Sequence, residues 1–150
     1  GSNVSISKNA TIIGEKNISL GSNVRIDDYT IISAENGSLV IGSNVHIGGQ
    51  SYFGCSGNIQ IGNNVNISQG SRFYSKINDY LEFEVIEKYI LKKIKIEDNV
   101  IIGSGSVIIG ECTISEGVTI GALSFVKGNL KSWSVYAGNP IKFINTRKKK

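Results

Sequence analysis

One side chain in the sequence is suited to moving a proton near neutral pH. It is His46, the only histidine among 150 residues. A neutral imidazole takes the proton from a hydroxyl or an amine as that group attacks, for a gain of roughly 10²–10⁴-fold. His46 stands in "GSNVHIGG", residues 42–49. Near-copies of the phrase lack it: "GSNVSI" at 1, "GSNVRI" at 21, "GNNVNI" at 62, "EDNVII" at 97 and "SEGVTI" at 115. In "NVHIG" the aliphatic Val45 and Ile47 point to one side of an extended segment, so His46 points to the other. The same slot holds Arg25 in the preceding copy and Asn66 in the following one. An imidazole beside an amide, with glycines leaving room next to it, is a candidate site for acid–base chemistry. The plainer reading is a solitary surface histidine. The cysteines, Cys55 and Cys112, match no metal-ligand spacing and no disulfide framework. They read as core filling in a reducing compartment.

These side chains need a frame, and the repeat supplies it. Three hexapeptides make one coil of a three-sided β-helix, and most copies of the phrase recur about one coil apart. Ile96, Ile102, Ile108, Ile114, Ile120 and Val126 fall six apart without a break. An aliphatic residue at that period marks the inward point of each flat face. Gly, Asn and Asp gather at the corners, where positive φ is tolerated. Stacked coils lie about 4.8 Å apart and bond as parallel strands. The expected fold is therefore all-β, a single left-handed parallel β-helix domain over residues 1–150. Its coils span 1–72 and 94–130, with a protruding loop at 73–93 and a C-terminal extension at 131–150. The left hand follows from the association of hexapeptides with that architecture, because parallel crossovers in ordinary sheets are right-handed. A right-handed solenoid lacks the six-residue period, and a β-sandwich would not keep the register unbroken.

Composition removes several function classes. The net charge is +4, supplied by the last four residues, Arg147, Lys148, Lys149 and Lys150. A neutral body with a basic tail is a poor footprint for nucleic acid. The tail reads as a solvated end. No run of about 18 apolar residues exists, so no membrane-spanning helix is expected. No signal peptide is visible, and the expected location is the cytoplasm. With no methionine in the chain, its first residue reads as a processed or trimmed end.

Several stretches together carry a family likeness: "VRIDDYTIIS", "IGSNVHIG", "GNNVNISQGSRFYS", "NDY", "VIIGSGSVI", "IGALSFV" and "YAGNPIKFI". Through them nearly the whole chain resembles the hexapeptide-repeat acyltransferases. Within that family it is similar to the sugar O- and N-acetyltransferases of bacterial surface-polysaccharide synthesis. The resemblance implies a homotrimer with sites between subunits, acetyl-CoA lying along the outer wall near the last coils, and a histidine base. It implies first the transfer of an acetyl group to a sugar hydroxyl, in O-antigen, capsule or exopolysaccharide synthesis. The alternative is N-acetylation of a nucleotide-linked amino sugar. His46 is the expected base and Asp79 the reserve. Related enzymes that keep the base in the loop carry a His-Pro stretch where this chain reads "SKINDY". Asn66, Gln50 and Tyr80 are expected to meet the acceptor. For the coenzyme the motifs point to Ser104 in "IGSGS", Ala122 in "IGALS" and Lys142 in "GNPIK", joined by Lys127 and Arg147 for the phosphates. A backbone N–H within Gly103–Gly105 is the expected partner of the thioester oxyanion.

Two rivals remain. A γ-class carbonic anhydrase shares the fold but needs three histidines per zinc, so no metal is expected here. A non-catalytic β-helix scaffold would show a ladder of one residue type. The outward slots instead read Ser5, Arg25, His46, Asn66, Ile101 and Thr119. The loop "YLEFEVIEKYILKK" is too apolar to stay solvated and is expected to pack on a neighbouring subunit. Its tip would line the acceptor pocket, with Asp79 bonding a sugar hydroxyl or orienting His46.

Overall fold

Short aliphatic–x–aliphatic triplets separated by corner residues make three-residue strands that turn every sixth position. The computed structural model describes residues 1–79, 81 and 88–149. It is a three-sided parallel β-helix, the left-handed solenoid that the hexads imply. The first face stacks Ser5–Ile6, Val24–Ile26, Val45–Ile47, Val65–Ile67, Ile101–Ile102, Thr119–Ile120 and Ser134–Ala137. The second stacks Thr11–Ile13, Ile31–Ser33, Tyr52–Gly54, Arg72–Tyr74, Val107–Ile109 and Phe125–Val126. The third stacks Ile18–Leu20, Leu39–Ile41, Ile59–Ile61, Ile94–Ile96 and Cys112–Ile114.

The hexad residues fill the interior as expected. Ile96, Ile102, Ile108, Ile114, Ile120 and Val126 are all at most 1% exposed. The phrase "GSNV" gains a physical reason at the edge between the third and first faces. Asn3, Asn23, Asn44, Asn64 and Asn99 all hold positive φ there. Their side-chain amides run as a ladder up that edge: Asn3 donates to Asn23 at 2.8 Å, Asn23 to Asn44 at 2.9 Å, and Asn44 to Asn64 at 3.1 Å. Asparagine serves twice, tolerating the left-handed backbone and bonding the coil above.

Two boundaries differ from the sequence reading. Phe73 and Tyr74, assigned to the loop, belong to the second face. Phe73 is fully buried and stacks on Phe53 with ring centroids 4.5 Å apart. An aromatic pair replaces an aliphatic one here, which hides the repeat from an aliphatic pattern. The chain leaves the coil only after Ser75, in an antiparallel hairpin of Lys76–Asn78 with Tyr89–Leu91. The hairpin's base is closed by Lys92 N–H donating to Ser75 O at 2.7 Å. Tyr80 and the apolar residues Phe83, Val85 and Ile86 lie outside the described residues. The extension also stays on the prism. Ser134–Ala137 continues the first face in parallel, and Lys142–Thr146 folds back on it antiparallel.

Replacing Phe73 by alanine leaves a void against Phe53, and the expected destabilisation is about 3–5 kcal/mol. A denaturant titration should show a lower midpoint at unchanged slope.

Candidate active site

The register of the first face sets Arg25, His46, Asn66, Ile101 and Thr119 in one outward column. This is the column read from the sequence. His46 Nδ1 lies 3.0 Å from Asn66 Oδ1, in the coil that follows. His46 Nε2 lies 2.8 Å from Asp27 Oδ2, in the coil that precedes. Arg25 Nε donates to the other Asp27 oxygen at 2.6 Å. Four side chains therefore form one chain, Arg25–Asp27–His46–Asn66, running up the wall.

Asp27 is the residue that the sequence reading passed over. It sits in "RIDDY", where an aspartate at a corner reads as a turn residue. Strand alternation places it on the same side as Arg25, and its contact with His46 is diagonal between coils. Burial works to raise the Asp27 carboxyl, but hydrogen bonds and charge from His46 and Arg25 outweigh it and hold the carboxyl below its ordinary value. Ionised, Asp27 only accepts hydrogen bonds, so it fixes a hydrogen on His46 Nε2. The basic atom is then Nδ1, on the side of Asn66. A carboxylate that fixes tautomer and orientation is the arrangement that makes a histidine an effective base.

The imidazole is open to solvent, with 41% of its side chain exposed, while Asp27 is at 25%. An open hollow of about 670 Å³ borders this chain, bounded by Ser5, Ser7, Arg25, Asp27 and Asp28. The glycines that follow His46 serve stacking rather than leaving room. A Cβ on Gly48 would stand 2.5 Å from Gln69 N, and one on Gly49 would stand 2.7 Å from Asp28 O.

The other expected site residues are distributed around the prism. Gln50 is exposed at the edge between the first and second faces, at the corner that ends the His46 strand. Asp79 follows the hairpin strand at the edge between the second and third faces. Within one chain it does not approach His46, and its carboxylate accepts from Leu81 N–H at 3.2 Å. Within this chain, Asp27 is the carboxylate that holds the imidazole.

Ser104 and Ala122 stack on the first–second edge, where Leu123 N–H donates to Ser104 O at 2.9 Å. Lys142 pairs with Ala137 near that edge. Lys127 follows the strand Phe125–Val126 toward the third face. Arg147 belongs to the third–first edge, where Nη1 donates to Asn99 O at 2.7 Å and Gly117 O at 3.1 Å. It fastens the extension beside Trp133 and does not join Ser104, Ala122 and Lys142. The expected oxyanion donors at Gly103 and Gly105 are also engaged, bonding Ile120 O at 2.8 Å and Gln69 O at 3.0 Å. Coil stacking uses those N–H groups.

Cys55 and Cys112 are buried, and burial pushes both thiols up to about 12. Neither is a nucleophile near neutral pH.

Comparison with known proteins now bears on this geometry. The dTDP-4-amino-4,6-dideoxy-D-glucose acyltransferase of Escherichia coli is 36% identical over 159 residues, which span 100% of this chain and 82% of that protein. The chain belongs to the hexapeptide-repeat acyltransferases. Residues 93–128 of this acyltransferase match the model of the bacterial transferase hexapeptide (six repeats). AntD, an N-acyltransferase from Bacillus cereus solved with dTDP and coenzyme A, superposes with a TM-score of 0.89 at 36% identity, over 97% of this chain and 82% of that one. A maltose O-acetyltransferase from Clostridium difficile superposes with a TM-score of 0.71 at 23% identity, over 97% of this chain and 67% of that one. That second likeness concerns the fold alone. No helix among the described residues is long and apolar enough to cross a membrane.

Three outcomes are expected. Asp27→Asn removes the charge that fixes Nε2–H and should lower kcat at least about 10-fold, within the range that general-base catalysis contributes. Folding lowers the Asp27 pKa below 3.8, so its stabilising contribution is present above that pH and is lost as pH falls through the folded value. Asp27→Asn should therefore flatten the acid side of the stability curve, as followed by thermal unfolding from pH 2 to 5. Separately, a thiol reagent at pH 8 should leave both cysteines unlabelled until the protein unfolds.

Proposed function

We propose that this acyltransferase moves an acyl group from coenzyme A to the amino group of a nucleotide-linked 4-amino-4,6-dideoxy sugar, with His46 as the base. The observation that carries the reading is the 36% identity, across the whole chain, to an enzyme named for that acceptor. An AntD variant crystallised with dTDP-4-amino-4,6-dideoxyglucose and coenzyme A superposes equally well, with a TM-score of 0.90. These relatives favour the amine alternative over the sugar hydroxyl that the sequence motifs put first.

The chemistry suits the wall. The neutral amine nitrogen attacks the thioester carbon, and the C–N bond forms as the carbonyl pair moves onto oxygen. The pair returns as the C–S bond breaks. The proton shed by the amine passes to His46 Nδ1 and from there to the departing sulfur of coenzyme A. Ionised Asp27 stabilises the imidazolium in between. No covalent enzyme intermediate is required, in keeping with the buried thiols.

The working form is a homotrimer in this reading. His46 stands on a flat outer face, and a second wall comes from a neighbouring copy. Asp79 reaches an active site only by crossing to another subunit, since the hairpin leaves the prism at an edge away from the first face. Ser104, Ala122 and Lys142 share the edge along which the coenzyme lies. The reaction belongs to the cytoplasm, on the way to a surface polysaccharide.

Thiol release from acetyl-CoA tests this directly. dTDP-4-amino-4,6-dideoxyglucose should turn over at least about 100-fold faster, by kcat/KM, than the same nucleotide sugar with a hydroxyl at C4. Equal or faster turnover of the hydroxyl compound restores O-acetylation. His46→Ala should lower kcat about 10²-fold or more and leave coenzyme A affinity unchanged by calorimetry. Light scattering should give three times the chain mass, and a monomer at micromolar concentration counts against the shared site.

A further inference from the structure

The hydrogen bond between His46 and Asn66 has a property that the rest of the wall lacks: its direction depends on the proton that the base carries. The carboxylate of Asp27 only accepts, so the ring nitrogen 2.8 Å from it bears a hydrogen in every state of the ring. The other nitrogen, Nδ1, lies 3.0 Å from Asn66 Oδ1. A carbonyl oxygen facing a bare ring nitrogen sets two lone pairs against each other. The arrangement with oxygen inward is therefore the partner of a protonated Nδ1. When Nδ1 is bare, the bond survives only if the amide presents its NH2 end. Asparagine carries a donor and an acceptor at equal reach, so a half-turn about its last bond serves both states.

The surroundings leave that half-turn free to follow the ring. Asn66 is held by its backbone, with its N–H donating to Val100 O at 3.0 Å, while its side chain is exposed. Among the described residues, the charged groups joined to the imidazole come from the coil on the Asp27 side, Asp27 itself with Arg25 behind it, while Asp28 lines the neighbouring hollow. On the Nδ1 side the column continues with Asn66 and Ile101, neither of which titrates.

We propose that Asn66 is a positioning residue for His46, its amide turning end for end as the ring gains and loses the Nδ1 proton. The proposal rests on His46 being the base. Its consequence is that Asn66 holds the resting ring through its NH2 end until the acceptor's amine displaces that end from Nδ1, and holds the protonated ring again through Oδ1. A fixed acceptor in the same place holds only one of those states.

The protein contains one histidine, so ring-nitrogen NMR of histidine-labelled material reports His46 alone. In the wild type, the neutral ring should carry its hydrogen on Nε2, and the Asn66 NH2 signals should shift with the same midpoint as the ring. Asn66→Asp places a second carboxylate on the ring and should raise that midpoint by at least about one pH unit, a tenfold tighter hold on the proton. The acid limb of kcat/KM should move with it. Asn66→Ala should leave the midpoint near that of the wild type and lower kcat, because the ring loses a support that favoured neither state. Wild-type NH2 signals that ignore the ring titration overturn the proposal, as does a neutral ring protonated on Nδ1. An unmoved midpoint in folded Asn66→Asp overturns it as well. If the NMR midpoint moves in Asn66→Asp while the kcat/KM profile stays put, the coupling of Asn66 to His46 stands and the base assignment falls.

Discussion

Backbone hydrogen bonds from one coil to the next fix every other feature of this chain. At the edge between the first and second faces, Gln50 N–H reaches Asp28 O, Gly70 reaches Gly49, Gly105 reaches Gln69 and Leu123 reaches Ser104, all within 3.0 Å. Such bonds require the corners to approach closely and to hold positive φ, which glycine supplies here at Gly70 and Gly105 and asparagine supplies on the third–first edge. They also remove the N–H groups of Gly70, Gly105 and Leu123 from chemistry. Once stacking is fixed, residues a coil apart in sequence become neighbours in space. The working unit is then a vertical column, and no single segment of the sequence contains it.

That geometry explains what the sequence disclosed. The inward hexads and the outward slots from Ser5 to Thr119 follow from period alone, and the strand register matches them residue by residue. Asp27 escaped because its partner is reached diagonally and because "DD" at a corner has an ordinary structural meaning. Phe73 escaped because the stack it joins is aromatic, so the aliphatic pattern breaks one strand before the chain leaves the coil. The fastening by Arg147 depends on the fold-back of Lys142–Thr146, which carries no hexad signal and is invisible before the chain is assembled.

The first face changes character at His46. On the side of the first coils it carries Ser5, Arg25, Asp27 and Asp28. Beyond Asn66 it carries Ile101 and, at the neighbouring edge, Leu123, which are 37% and 77% exposed. The imidazole stands where the polar and the apolar parts of this face meet.

Trp133 sits apart from this chemistry, at the third–first edge of the last coil. Its ring lies over Gly117, where an added Cβ would stand 2.5 Å from the indole, with Arg147 and Lys149 placed over it as cations. It is the only tryptophan in the chain. Intrinsic fluorescence is therefore a local gauge of the C-terminal seam and is silent about the coils that hold His46. A solenoid whose units contact only their neighbours can lose one end before the rest. Emission and far-ultraviolet dichroism would then report different melting temperatures, and their gap would measure how far the chain departs from all-or-none unfolding.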